Sequence, residues 1–408
     1  MKNLNCEFVI IGGGMVGLTI AYQLIKRNLS NKIIIVEKEN QLGLHSSGRN
    51  SGVLHAGMYY EPDSLKAKVC VEGSRRLKNW IMEKGLNINK CGKLILPQRR
   101  ELDSQLDLLF ERGKKNGAEV EFFDEKQIKS LVPEANITSG RGLWSPNTAV
   151  VNPLSIIKEL KKELEENGVK FIFDAKEWSK IINKNEITIN ENLKVNFQHF
   201  VNAAGLYSDK VAHKFNIGLK YKIIPFKGSY WKLKKSSRIK VNVNLYPVPD
   251  LNVPFLGVHF TPNAISNEVN IGPTATPAFG RENYKIFENI EFKNLLSDLS
   301  FLSMQYINNT NNFRKYVHEQ AFLSIPPLFL KASKELLPNL KYDDIKPSNK
   351  VGLRAQLFNM EKKNIERDFL CISNKDSTHI LNAISPAFTA SFAFADLIID
   401  KYISSSIK

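Results

Sequence analysis

Short runs of unbroken apolar residues, each closed by glycine or by a polar cluster, recur along the chain. The first comes almost at once. Residues 8–11 (FVII) carry no polar position, the signature of a strand buried on both faces. "GGGMVGLTIAYQLIKR" then changes rhythm and puts Leu18, Ala21, Tyr22 and Ile25 on one helical face. "KIIIVEK" returns to the strand pattern. Further along, "NPLSIIKELKKELEENGVKFIF" predicts an amphipathic helix and a returning strand, and "HFVNAAGLYSDKVA" an apolar strand ending at Ala203–Gly205. "HILNAISPAFTASFAFADLIID" predicts a strand, a turn at Pro386 and a helix of small residues. Strands alternating with helices predict a mostly parallel sheet with helices on both faces. Between these segments lie "KGSYWKLK", "VNVNLYPV", "FLGVHFT" and "EVNIGP", separated by Pro, Asn and Gly turns, which predict antiparallel strands. "NNTNN" predicts a loop, and no internal repeat is visible.

The glycines after the first strand carry chemistry. Gly12, Gly14 and Gly17 fit G-x-G-x-x-G between a strand and a helix. The first permits the tight turn, the second lets backbone approach a pyrophosphate, and the third lets helix pack on strand. Met15 and Val16 open the helix, whose unpaired N–H groups and positive dipole end face the phosphates. Glu37, 20 residues after Gly17 and followed by Lys38, stands where a carboxylate accepts from a ribose diol and repels a 2′-phosphate. This turn alone does not separate NAD from FAD. The strip "HSSGRNSGVLHAGMYYEPDSLKAK" (residues 45–68) follows after a short loop. FAD extends beyond its binding turn and needs a second cradle rich in backbone. Gly48, Gly52 and Gly57 would let main chain lie against its ring system, while Ser46, Ser47, Asn50 and Ser51 donate to its phosphates and polar edge. Ala204–Gly205 and the joint at Asn382, Ser385, Pro386 and Ala387 would complete it. The dipole of the last helix favours negative charge on the flavin's pyrimidine edge, hence the reduced state. The expected fold is a Rossmann-like FAD-binding domain (residues 1–85, 150–218 and 340–408), interleaved with an antiparallel-sheet substrate domain of α+β type (86–149 and 219–339).

Composition narrows the setting. The 408 residues are 24 % charged and 43 % hydrophobic, ordinary for a globular chain. No apolar run is long enough to span a bilayer. The N-terminus lacks the longer apolar core of a signal peptide. Cys6, Cys70, Cys91 and Cys371 are scattered, which suits a reducing cytoplasm and argues against a disulfide framework or a metal site. The net charge of +16 comes from small groups such as Lys234, Lys235, Arg238 and Lys240, without the long basic block that nucleic acid would call for. A basic face on the inner side of a membrane would need no spanning segment.

Along nearly its whole length the chain resembles the L-2-hydroxyglutarate dehydrogenases (also called oxidases), within the D-amino-acid-oxidase-like flavoproteins. The residues that carry this are "HSSGRNSGVLHAGMYYEPDSLKAKVCVEG", "FKGSYWKL", "LYPVPDLNVPFLGVHFT", "VNIGPTATPAFGRENY", "KVGLRAQL" and "HILNAISPAFTAS". Arg49 stands where that family usually has His, Ile384 where it has Pro, and residues 300–350 match less clearly. The resemblance implies FAD-dependent oxidation of L-2-hydroxyglutarate, or a close dicarboxylic 2-hydroxy acid, to the 2-oxo acid by hydride transfer to flavin N5. Oxidation of an amino acid or secondary amine is the alternative on the same fold. Dioxygen, a quinone or an electron-transfer protein would take the electrons. Such a reaction needs a cation for the carboxylate and a base for the hydroxyl proton. Arg354 in "GLRAQ" is the expected clamp, its planar fork suited to a two-point carboxylate contact. His259 is the expected base. His55 is the alternative, as base or as carboxylate ligand. Tyr60 and Tyr230 would donate to substrate oxygens, Lys66 would neutralise the distal carboxylate, and His45 would touch the ribityl or dimethylbenzene side of the flavin.

Overall fold

The computed structural model describes residues 2–181, 184–249, 256–266, 268–285 and 287–404. Its centre is the Phe8–Ile11 strand, all four residues buried. It lies within a six-stranded sheet in the order Lys170–Ile172, Ile33–Val36, Phe8–Ile11, His199–Asn202, Ser377–Asn382, Leu370–Ser373. The first five run parallel and the last is an antiparallel edge. Because side chains alternate across a sheet, Phe8 and Ile10 point to one side, with Ile33 and Ile35. There they meet Leu18, Leu24, Leu77, Leu160 and Phe394 from the helices Met15–Lys26, Leu65–Glu83, Pro153–Glu166 and Ala387–Ile398. Two of these helices touch backbone to backbone: a Cβ on Gly73 would fall 2.6 Å from Ala390 Cα.

Val9, Ile11, Ile34 and Val36 face the other way, where the expectation of helices on both faces meets a correction. That side is covered mainly by a four-stranded sheet, Lys2–Asn5, Leu193–Asn196, Glu186–Ile189 and Trp178–Lys180, through Val195, Ile187 and Ile189. The reason is local. Residues 186–196 alternate apolar and polar with a turn at Asn190–Asn192, a hairpin pattern that cannot form an amphipathic helix.

The antiparallel strands form a larger sheet. Tyr221–Leu233 pairs with Ile345–Asn359, Arg354 standing opposite Phe226. Beyond Tyr221–Leu233 come Val269–Gly272, His259–Pro262, Asn244–Pro247, Lys93–Leu96, Arg141–Ser145 and Glu121–Asp124. The 345–359 strand, expected with the nucleotide-binding segments, therefore belongs to this sheet. The expected strand "FLGVHFT" is seen as His259–Pro262, and residues 250–255 lie outside the described residues. Helices Phe292–Ile307 and Phe313–Leu323 pack on Ile224, Phe226 and Phe358. The loop around Arg281 is fastened to the short helix Ser208–His213 by an ion pair to Asp209, both side chains almost fully buried. Among the described residues no helix is long and apolar enough to cross a membrane.

Candidate active site

The C-terminal ends of the parallel strands and the face of the large sheet enclose a cavity of about 820 Å³. Its first wall is the glycine turn. Gly12 has φ +108°, and a Cβ there would sit 2.4 Å from the Ala203 carbonyl oxygen, so no side chain fits. The Glu37 carboxylate lines the cavity and accepts from the backbone N–H of Gly13 (3.0 Å) and Glu39 (3.1 Å). The second strip is tied directly to this turn: Met15 N donates to Ser47 Oγ at 2.9 Å. Ser46 Oγ donates to the Leu353 carbonyl at 2.9 Å, fastening the strip to the large sheet as well. Asn50 folds back on its own turn, donating to the Ser47 carbonyl (2.7 Å) and accepting from Gly52 N (2.8 Å).

A charged group edges the same wall. Lys38 sits between Glu39 and Glu282; burial opposes its charge, but hydrogen bonds to the two carboxylates outweigh burial and raise its pKa. His45 is bonded to Glu39 (2.9 Å) and Tyr284 (2.7 Å), and the Arg49 guanidinium lies 4.0 Å over the Tyr284 ring. Glu39, His45 and Glu282 come close enough to hold a metal ion, but the cation they already surround is the Lys38 ammonium.

The far end gathers Arg354, His259, His55, Tyr230, Tyr246, Phe226 and Ser385. Burial pulls Arg354 down to about 10, still leaving it a cation at neutral pH. His259 reaches the cavity from the start of its strand, with its ring stacked 3.9 Å from that of Tyr246. Its Nδ1 lies 2.8 Å from the Gly257 carbonyl oxygen. A carbonyl can only accept, so the proton is on Nδ1 and Nε2 keeps its lone pair. Burial, opposed by that bond and assisted by Lys93, lowers His259 to about 3, so the ring is neutral at physiological pH. His55 is also held well below the usual histidine range, by burial first and then by the charge of Lys93.

Lys93 was not visible as a site residue from the sequence. It is fully buried on the Lys93–Leu96 strand, its Nζ 4.2 Å over the Tyr246 ring, 5.0 Å over Tyr59 and 3.5 Å from His55 Nδ1. Burial lowers it to about 7. The available signal was a lone lysine opening the otherwise apolar run "KLIL". Tyr246 was missed too, because an aromatic residue in a strand gives no sign of what lies across from it.

Most expected site residues meet around this cavity: Gly12, Gly14, Met15, Val16, Glu37, Lys38, His45, Ser46, Ser47, Asn50, Ser51, His55, Ala204, Gly205, Tyr230, His259, Arg354, Ser385, Pro386 and Ala387. Seven do not line it. Gly48 packs on the Gly43 carbonyl oxygen, where a Cβ would come 2.0 Å away, and Gly57 takes φ +94° against Val71, so neither glycine serves the ring system as expected. Gly17 packs helix against turn, where a Cβ would come 2.2 Å from the Gly12 carbonyl oxygen. Gly52 takes φ +78° at the end of the Asn50 turn. Asn382 is buried and donates to the carbonyls of Glu366 (3.1 Å) and Asp368 (2.6 Å). Tyr60 stands behind the wall, beside Ser385 and Arg354. Lys66 is buried, and its ammonium donates to the Arg367 carbonyl. Burial and the nearby Arg354 charge lower it to about 7.

A cavity lined by a side-chain-free turn and the Glu37 carboxylate, and also by Arg354, His55 and His259, fits a flavin dinucleotide with a small anion beside it. The family model of FAD-dependent oxidoreductases (DAO) matches residues 7–401. The chain belongs to this family. An L-2-hydroxyglutarate dehydrogenase, mitochondrial, of Caenorhabditis briggsae is 36 % identical, the alignment covering 98 % of this chain and 93 % of the relative. An L-2-hydroxyglutarate dehydrogenase of Indibacter alkaliphilus is 34 % identical over 96 % and 97 %. Among solved structures, the L-α-glycerophosphate oxidase of Mycoplasma pneumoniae with FAD bound superposes with a TM-score of 0.74 at 21 % identity, covering 96 % of this chain and 93 % of that one, a likeness of fold. FAD is the cofactor. The Gly12–Val16 turn, Glu37, the Ser46–Ser51 strip and Ala204–Gly205 line the cavity.

Proposed function

We propose that this protein oxidises L-2-hydroxyglutarate to 2-oxoglutarate. The observation that carries the reading is that a half-buried arginine and an imidazole with a bare Nε2, Arg354 and His259, line the same cavity. Arg354 grips the substrate's C1 carboxylate; a charged two-point contact of this kind is worth about 1.5–3 kcal/mol per hydrogen bond. His259 Nε2 takes the hydroxyl proton as the C–O bond becomes C=O, and the Gly257 carbonyl stabilises the imidazolium that forms. FAD, when bound, supplies the two-electron acceptor that takes the Cα hydrogen as hydride at N5. Tyr230 closes the apolar wall and keeps water from the reacting carbon. Lys66 acts at one remove, adding positive potential behind Arg354 rather than touching the distal carboxylate. Incubation with L-2-hydroxyglutarate and a dye acceptor should give one 2-oxoglutarate for each two electrons passed on. Dye reduction without 2-oxoglutarate would overturn the assignment.

The electrons leave at a membrane surface on this reading. Phe292, Leu296 and Leu299 project from one helix at spacings of four and three residues and are 73, 79 and 40 % exposed, beside the exposed Lys293. An apolar stripe on a chain of net charge +16 fits an anionic bilayer. The protein should sediment with vesicles containing phosphatidylglycerol, and Phe292→Ser with Leu296→Ser should release it. Sedimentation unaffected by the double substitution would exclude this stripe.

A further inference from the structure

Among the described residues, no carboxylate stands beside the buried Lys93. Burying an ammonium without an anion is costly, and a chain that only needed to fill this space would do so with leucine or methionine. What surrounds it is specific. Two aromatic faces, Tyr246 at 4.2 Å and Tyr59 at 5.0 Å, favour the cation that burial opposes. The nitrogen acceptor within its reach is His55 Nδ1, at 3.5 Å. In its charged form, below its pKa of about 7, Lys93 has no lone pair and is the donor in this contact, which leaves His55 Nδ1 bare. The imidazole is neutral, so its single proton sits on Nε2. That nitrogen points to Ser385 Oγ (3.5 Å), a hydroxyl that can accept, at the edge of the cavity. Across the cavity the arrangement is reversed: the Gly257 carbonyl holds the His259 proton on Nδ1 and leaves Nε2 open.

We propose that Lys93 is a positioning residue that fixes His55 in the Nε2–H tautomer, so that the cavity presents one histidine that donates, His55, and one that accepts, His259. The consequence, which rests on the function proposed above, is a division of labour between two like side chains. His55 cannot take the substrate's hydroxyl proton, because its cavity-facing nitrogen already carries one. Its N–H is held by Ser385 Oγ at the cavity edge, and the base is His259. Lys93 touches neither substrate nor cofactor and acts only through the ring it orients. It also adds positive charge near both imidazoles, which keeps a second proton off either ring before substrate arrives.

Nitrogen-15 NMR of histidine-labelled protein reads tautomers directly and needs no turnover. His55→Gln and His259→Asn identify the two signals. At pH 6, where Lys93 is charged, His55 in the unsubstituted holoprotein should show the Nε2–H pattern and His259 the Nδ1–H pattern. Lys93→Met, close in length and uncharged, should convert His55 to Nδ1–H or a mixture while leaving His259 unchanged. Flavin reduction by L-2-hydroxyglutarate should then slow by about 10–100-fold, the usual effect of losing a group that orients a site residue. Lys93→Arg, which keeps the donor, should retain the His55 tautomer. An Nδ1–H pattern for His55 in the unsubstituted protein, or a His55 pattern indifferent to Lys93→Met, would overturn the proposal. Either result would leave the substrate assignment standing, since that is read from product formation.

Discussion

At the scale of single residues the site depends on which groups keep a proton and which keep a lone pair. Arg354 stays charged because its partial burial leaves its pKa at about 10, well above neutrality. Replacing it with lysine removes the planar fork while keeping the charge, so Arg354→Lys should raise the KM for L-2-hydroxyglutarate about tenfold or more. An unchanged KM would remove Arg354 from the carboxylate site. His259→Ala should slow anaerobic flavin reduction by about a hundredfold or more, the ordinary contribution of a general base. Near-normal reduction would exclude it as the base. These residues were legible in unequal measure. Gly12 and Glu37 announce themselves because their partners lie a few residues away in a fixed strand–turn–helix pattern. Arg354 and His259 stood out only through the resemblance carried by "KVGLRAQL" and "LYPVPDLNVPFLGVHFT". Lys93 did not stand out, because its surroundings are assembled from strands far apart in the chain, Lys93–Leu96 and Asn244–Pro247.

At the scale of elements, close contact between backbones sets what the sequence tolerates. Gly12→Ala would combine a positive φ with a methyl 2.4 Å from a carbonyl oxygen. The substituted protein should purify without yellow colour and fail to regain it with added FAD. A variant that binds FAD normally would show that the turn adapts. Gly73 plays the corresponding part in the core, where the Leu65–Glu83 and Ala387–Ile398 helices meet. Gly73→Val should cost about 1–3 kcal/mol in urea unfolding through overpacking. The helix–strand alternation was readable because each element's period is local. The face against which each element packs was less so. The sheet at residues 178–196 covers a side expected to carry helices, and the 345–359 strand joins Tyr221–Leu233. Both outcomes depend on long-range pairing that an apolar run leaves open.

At the scale of the whole molecule, three buried histidines link stability to pH. Burial lowers His199 to about 4, and His259 and His379 to about 3. The unfolded chain takes up these protons near pH 6.5, whereas the folded chain resists them until about pH 4 and below. Stability is therefore intact above pH 6.5 and falls as the pH drops below it, by about 1.4 kcal/mol per pH unit for each histidine. Urea midpoints at pH 7 and pH 5 should show this loss, and His199→Asn should reduce it; equal midpoints would mean that the rings take up protons as readily when folded.

Oxidation of a small anionic alcohol in this cavity can be followed by anaerobic titration of the FAD-loaded protein with L-2-hydroxyglutarate, D-2-hydroxyglutarate and L-glutamate, reading the flavin absorbance. L-2-hydroxyglutarate should bleach the flavin rapidly, and its enantiomer and the amino acid should do so little. Bleaching by L-glutamate with none by L-2-hydroxyglutarate would contradict the proposed oxidation and make the protein an amine oxidase.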